Sequence, residues 1–304
     1  MGPRQALPKL INSAFSGLFQ LEPFHRLFRS GIIDSFKRYD REQAWPDAEF
    51  FIENVPPKIF GGVGGDSYTG WIYQQGFFAG LIRSHLPGRS LRIIDFGCGF
   101  GKLAPVSTFF THPDGVYIGV DIRSDCIEAC ERQYAHLPRV EFHKSEDYNS
   151  MYSEARSDEL RRSTPQHDWP AKPGTVDLVT AISVFTHLQE EQALHYFRQI
   201  HGVLKPNGIA MLTFHIVEEP RKAPKFSSAN KAHLLDLFDF KTALPPSQNF
   251  FTSRPLVPED AIAVNDAGLK SLIGDRFDLV SIIRGSTTGG EDPFFQDIVI
   301  LRKK

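Results

Sequence analysis

Residues 92–101, Arg-Ile-Ile-Asp-Phe-Gly-Cys-Gly-Phe-Gly, followed by Tyr117-Ile118-Gly119-Val120-Asp121, constrain the fold of this chain more than any other segment. Leu91, Ile93 and Ile94 form an apolar run that stops at glycine, the pattern of a buried strand. Gly97, Gly99 and Gly101 then make a turn without side-chain bulk, so backbone N–H groups can approach a ligand where the next helix begins. A second apolar strand ends in Asp121, and a carboxylate at the C-terminal end of such a strand can accept both hydroxyl protons of a ribose. Together the two segments describe a nucleoside-binding corner. The glycines alone would not, because turns collect glycine for geometric reasons.

From Leu91 onward, strand and helix signals alternate, which predicts a mostly parallel sheet covered on both faces. Strands are predicted over 91–96, 116–120, 140–143, 176–183 and 209–214. A helix begins at Lys102 with Pro105 tolerated in its first turn, and another runs to Ala135 behind a capping box of Asp125 and Glu128. Leu194, Phe197, Ile200 and Leu204 form one helical stripe, and Pro206-Asn207-Gly208 turns the chain into the fifth strand. Asp266 is predicted to cap a helix carrying Leu269, Leu272 and Ile273. Residues 277–283 and 296–301 then make an antiparallel pair, because the Gly-rich connection over 285–293 is too short for a crossover.

The glycine spacing separates two kinds of cofactor. Pyrophosphate binding uses G-x-G-x-x-G/A, whereas here the third glycine falls one place early and Lys102 stands at the expected site. The run from Ile93 to Gly101 instead resembles motif I of the class I S-adenosylmethionine-dependent methyltransferases. Val176-Asp177-Leu178-Val179 with Ser183-Val184-Phe185-Thr186-His187-Leu188 is similar to that family's fourth-strand segment. Val203-Leu204-Lys205-Pro206-Asn207-Gly208 resembles its Leu-Lys-Pro-Gly-Gly turn, departing at Asn207. Gly64-Gly65-Asp66, Tyr148-Asn149 and Phe295-Gln296-Asp297 resemble a bacterial branch associated with glycan and cell-surface methylation.

The resemblance implies an α/β fold with a Rossmann-like seven-stranded sheet, mostly parallel with an antiparallel last strand, and S-adenosyl-L-methionine as cofactor. It implies that Asp95 orients the loop and the methionine amino group, that 97–101 passes beneath methionine and ribose, and that Asp121 holds the ribose. Cys98, Ile122 and Ser183 join the cofactor-binding set, and either Glu146 or Asp147 receives the adenine amino group. Ligands in open α/β sheets sit beyond the carboxyl ends of the strands, which selects His187 after strand four and His215 after strand five as candidate general bases. His143, His195 and His201 are read as structural. Strand four ends without an Asn/Asp-Pro-Pro-aromatic tetrad, disfavouring base amino groups as acceptors, and without an acid to begin a catechol-type metal site. Hydroxyls, carboxylates and alkyl amines remain as acceptor classes, and hydroxyl methylation of a sugar, glycan, lipid-linked sugar or small molecule leads. An NAD-dependent oxidoreductase and a non-catalytic binding or scaffold protein are the alternatives, separable by cofactor competition and by turnover.

Composition adds bounds. The 304 residues carry a formal net charge of −2 with charges interspersed, so no basic field argues for nucleic acid. Cys98, Cys126 and Cys130 cannot all pair, and no signal peptide opens the chain, which fits a cytoplasmic protein. Cys126 and Cys130 lie one helical turn apart and read as partly buried apolar fillers; no metal is expected. Residues 1–88 are Phe-rich and read as a helical cap or extension, with 89–304 as the cofactor-binding domain, interrupted near 149–175 and 216–258. Between Met1 and Arg38 there are six Lys or Arg and two acids, so packing against the domain or a second subunit of a homodimer competes with peripheral membrane contact. No apolar run is long enough to span a bilayer.

Overall fold

A computed structural model describes residues 68–137, 139–146, 169–218, 238–288 and 294–304. The Phe-rich segment through residue 67, Gly64-Gly65-Asp66, Asp147, Tyr148-Asn149, most of the 149–175 insertion and the centre of the 216–258 insertion lie outside the described residues.

Five parallel strands form most of one sheet: β1 (Arg92–Phe96), β2 (Val116–Asp121), β3 (Val140–Lys144), β4 (Val176–Ala181) and β5 (Leu204–Phe214). Two later strands complete it, β10 (Phe277–Ile283) and β11 (Asp297–Lys303), giving the order β10-β11-β5-β4-β1-β2-β3. β11 runs antiparallel to both of its neighbours, as the sequence predicts for the final pair. Strand order reverses between β1 and β4, and a ligand crevice opens outside the strand ends at such a switch point.

Side-chain alternation explains why both faces are covered. Ile93, Tyr117, Leu178, Met211 and Ile300 enter one apolar layer, while their successors Ile94, Ile118, Val179, Leu212 and Leu301 enter the other. Helices α1 (Tyr68–His85), α2 (Ala104–Thr111) and α3 (Ser124–Tyr134) close the first layer through Phe78, Ile82, Val106 and Tyr134. Helices α4 (Glu190–Val203) and α5 (Asp266–Ile273) close the second through Phe197, Ile200, Leu269 and Leu272. Because a period-2 strand sends neighbouring residues to opposite faces, near-continuous Ile/Val/Leu runs are what a doubly covered sheet requires.

Several local expectations are corrected. The Asp125/Glu128 capping box does not form; Arg123 is the N-cap of α3 without a side-chain cap bond, and the Asp125 carboxylate takes the Arg123 guanidinium at 2.7 Å. Asp266 is the first helical residue of α5, and Asn265 caps it, accepting from Gly268 N at 2.8 Å. On α4 the buried residues are Ala193, Tyr196, Phe197, Ile200 and Val203, with Leu194 half-buried and Leu204 already in β5. Strand β4 ends at Ala181, and Ser183 has a left-handed backbone (φ 60°). The described part of the 216–258 insertion supplies β6 (Ile216–Val217), β7 (Thr242–Leu244) and β8 (Phe250–Thr252), which join β9 (Ile262–Asn265) beyond it in a second sheet of order β6-β9-β8-β7. These strands are two to four residues long, too short for periodicity to betray them.

Candidate active site

The glycine loop and Asp121 make one hydrogen-bonded unit. Gly97 N and Cys98 N donate to Val120 O at 2.7 and 3.0 Å, so the loop is tied to the end of β2. Gly99 N donates to Asp121 Oδ2 at 2.8 Å and Arg123 N to Oδ1 at 2.9 Å. Each Asp121 oxygen therefore keeps one lone pair, enough to accept two further hydroxyl donors. Burial raises the Asp121 pKa, opposed by the two backbone donors.

The glycines are dictated by what lies beneath them. Gly97 adopts φ +72°, and a Cβ there would sit 2.3 Å from Val184 Cγ2. Gly101 adopts φ +71°, and its Cβ would meet the Tyr134 ring at 2.6 Å. Tyr134 Oη donates to Gly101 O at 3.1 Å and the Cys130 thiol to Gly99 O at 3.3 Å, so α3 supports the loop from below. Cys98, Cys126 and Cys130 are free thiols and fully buried, more so than the sequence suggests. Among the described residues, no group of three or more His, Cys, Asp or Glu is placed to hold a metal ion.

Asp95 sits under the loop, 3% exposed, receiving Tyr117 Oη and Thr180 Oγ1 at 2.7 Å each. Burial pushes its carboxyl up to about 6, partly offset by these two hydroxyl donors. Neither Tyr117 nor Thr180 is singled out by the sequence, although Tyr117 stands inside the second strand motif. Ile122 is half-buried beside Asp121, and Glu146 is exposed and pairs with Lys144 at 3.1 Å.

A second cluster occupies the C-terminal ends of β4 and β5. His187 donates from Nδ1 to Glu259 O at 2.7 Å, since a carbonyl can only accept. His215 shares 2.8 Å between Nδ1 and Thr287 Oγ1, and Thr287 Oγ1 donates to Phe295 O at 2.6 Å. Two oxygens that close need a proton between them, so the Thr287 proton is committed and His215 Nδ1 must donate. In both neutral rings Nε2 is then the unprotonated nitrogen. Burial lowers the His187 pKa; burial, with a smaller contribution from the nearby His187, pushes His215 down to about 3. His143 and His195 approach Glu141 and Gln199, and His201 stacks edgewise on Phe277.

Residues that carry no recognisable motif chemistry hold this cluster in place. Asp297, fully buried, accepts from Ile216 N at 2.6 Å, Gly285 N at 2.9 Å and Thr288 Oγ1 at 2.7 Å, with Arg284 Nε at 3.5 Å. Gln296 Nε2 donates to Ser183 Oγ at 2.6 Å, while its Oε1 is buried without a partner among the described residues. Gln296 and Asp297 fall in the Phe295-Gln296-Asp297 segment, but the sequence gives no sign that they reach β4, β5 and β6.

Comparisons agree with this geometry where they bear on it. Residues 94–210 match the model of a methyltransferase domain family. Among solved structures, the chain is similar to a SAM-dependent methyltransferase from Aquifex aeolicus at 13% identity, covering 78% of this chain and 98% of that one, with a TM-score of 0.46. It is similar to magnesium protoporphyrin IX methyltransferase from Synechocystis PCC 6803 at 14% identity, over 81% and 92% of the two chains and a TM-score of 0.47. A SAM-dependent methyltransferase from Methanosarcina mazei shares 20% identity over 73% and 96%, with a TM-score of 0.44. The fold assignment rests on the strand order itself, and no match singles out the glycan-associated branch. Strand order, glycine spacing and the match over residues 94–210 agree on one reading: this part of the chain is a methyltransferase domain of the kind that uses S-adenosylmethionine.

Proposed function

We propose that the acceptor is a hydroxyl group, on a sugar, glycan, lipid-linked sugar or other small molecule, and that His187 or His215 takes its proton. The observation that carries this reading is the anchoring of both imidazoles through Nδ1, by Glu259 O and by Thr287 Oγ1, which leaves Nε2 as the basic nitrogen of each neutral ring. His187 follows β4, which borders the switch point, and His215 follows its neighbour β5; both are neutral at physiological pH because burial disfavours the imidazolium. A base must be unprotonated to act and works best with a pKa near the working pH, so His187 suits the task better than His215, whose ring is pushed down to about 3.

On the donor side, Asp121 would hold the ribose hydroxyls and the 97–101 loop would lie under the nucleoside with its backbone. The fit is supported by the two spare Asp121 lone pairs and by the left-handed glycines 97, 99 and 101 of the loop. The sulfonium donor supplies an electrophilic methyl group whose thioether leaves neutral, so the chain's own residues need only align the acceptor and remove one proton.

The test incubates the full chain with methyl-labelled S-adenosylmethionine and a panel of free sugars, a polyprenyl-linked sugar and simple phenols. The expected product carries an alkali-stable O-methyl group, identified by mass spectrometry, and either His187→Ala or His215→Ala lowers its rate by about 10²–10⁴-fold. An alkali-labile methyl ester, an N-methyl product, or two histidine variants with unchanged rates across pH would overturn the reading.

A further inference from the structure

We propose that Glu259, in the connection from β8 to β9, is the positioning residue of His187: its carboxylate, bonded to Gln189, holds its own backbone carbonyl against the imidazole. The proposal deepens the reading of His187 as the base and rests on it. His187 ends a short 3-10 turn, Phe185–His187, and Gln189 is the N-cap of α4. Packing fixes the start of that turn, since Phe185 is buried and its ring meets those of Phe197 and Phe214 at 5.2 and 5.1 Å. It does not decide which ring nitrogen of His187 carries the proton; a hydrogen-bond partner does that. The partner comes from 72 residues away, with Glu259 O at 2.7 Å from Nδ1. The Glu259 side chain returns to the same segment, where Gln189 Nε2 donates to Oε1 at 2.6 Å. A carboxylate can only accept, so the amide nitrogen faces it. One residue therefore grips His187 through its backbone and Gln189 through its side chain.

The β8–β9 connection depends on this grip for its placement. Arg254, Pro255, Leu256 and Val257 at its tip are exposed, so burial of the tip does not locate it. Val257 N donates to Arg254 O at 3.0 Å, Asp260 N to Val257 O at 3.1 Å and Arg254 Nη1 to Asp260 Oδ2 at 2.5 Å, bonds that set the shape of the tip and not its distance from His187. Strands β8 and β9 bring the connection near, and Glu259 closes the last gap. The same segment also tunes the ring. Burial lowers the His187 pKa, while the Glu259 carbonyl and the Asp260 charge act the other way. His215 shows the outcome without them: its neighbours are Thr287 and the rings of Phe238 and Phe240, and its pKa falls to about 3.

The test uses the full chain labelled with ¹⁵N-histidine, the His187 signal being assigned by its loss in His187→Gln. The parent should show an Nδ1-protonated ring. Glu259→Ala is expected to turn that signal into a mixture of tautomers and to slow methyl transfer to an acceptor from the panel above by about tenfold, with S-adenosylhomocysteine affinity within about twofold of the parent. Glu259→Gln keeps an oxygen for Gln189 and should restore the Nδ1-protonated form. Gln189→Leu should reproduce Glu259→Ala, and it carries the test if that variant does not fold. A parent-like tautomer in both Glu259→Ala and Gln189→Leu would overturn the assignment. A matching loss of S-adenosylhomocysteine affinity would also overturn it, by showing that Glu259 supports the domain as a whole. A mixed tautomer with unchanged transfer would instead remove His187 as the base, the reading on which the proposal stands.

Discussion

The two halves of the crevice are built by different means. At the donor end, the decisive contacts join β1 to β2: Gly99 N to Asp121 and Tyr117 Oη to Asp95, each pair 22 residues apart. At the proposed acceptor end, His187 meets Glu259 and His215 meets Thr287 across 72 residues, Ile216 meets Asp297 across 81, and Gln296 meets Ser183 across 113. The first end is a local device that one strand–loop–strand unit can carry from protein to protein. The second is assembled from four distant segments, so its chemistry can be changed by altering loops without disturbing the donor corner.

The contrast extends to pH and gives the largest expected effect. His215 titrates near 6.5 when unfolded and about 3 when folded, so its contribution to stability is complete above pH 6.5 and is lost as pH falls toward 3. By linkage the loss amounts to roughly 5 kcal/mol at most. Asp95 acts in the opposite sense, because its folded pKa of about 6 lies above the unfolded 3.8; stability falls by roughly 3 kcal/mol as pH rises through that window. Urea unfolding between pH 3.5 and 7.5 should therefore show His215→Gln less acid-sensitive than the parent, and Asp95→Asn without the decline between pH 4 and 6. Parallel curves for parent and variants would break the comparison.

Next in size is Asp297→Ala, which strands Ile216 N, Gly285 N and the Thr288 hydroxyl in the interior. A loss of about 3 kcal/mol of stability is expected in denaturant titration. Because Asp297 holds the histidine cluster and not the glycine loop, the affinity of the folded variant for S-adenosylhomocysteine should change by less than about threefold; a larger change would show that the two ends are coupled. Asp121→Ala inverts the pattern. It should weaken S-adenosylhomocysteine by roughly 30-fold, about 2 kcal/mol, while the ¹⁵N spectrum of His215 stays as in the parent. The smallest effect is expected for Thr287→Val, about 1 kcal/mol of stability, with Nδ1–H of His215 losing its acceptor. Imidazole ¹⁵N shifts should then report a mixture of tautomers, and Thr287→Ser should restore the Nδ1-protonated form.

Legibility follows the same division. Glycines, an aspartate and two apolar strands within thirty residues announce a nucleoside corner because the backbone conformation they require is encoded next to them. The antiparallel β10–β11 pair is also readable, since a short connection leaves no room for a crossover. Capping is less so: Asp125 and Asp266 carry the right side chains, yet the helix ends are organised by Asp121 bonding Arg123 N and by Asn265. Strands β6 to β9 are hidden by their brevity, and they bring Glu259 to His187.

The sequence by itself determined the sheet, the donor corner and the pair of histidines at the strand ends, because short-range pattern and loop geometry suffice for each. Only the tertiary structure decided that Asp95 is enclosed by Tyr117 and Thr180, that Thr287 fixes the basic nitrogen of His215, and that the amide oxygens of Gln75 and Gln296 are buried without a partner among the described residues. Those outcomes depend on which distant segments meet, and hydrogen-bond partners far apart in the chain leave no periodicity to read.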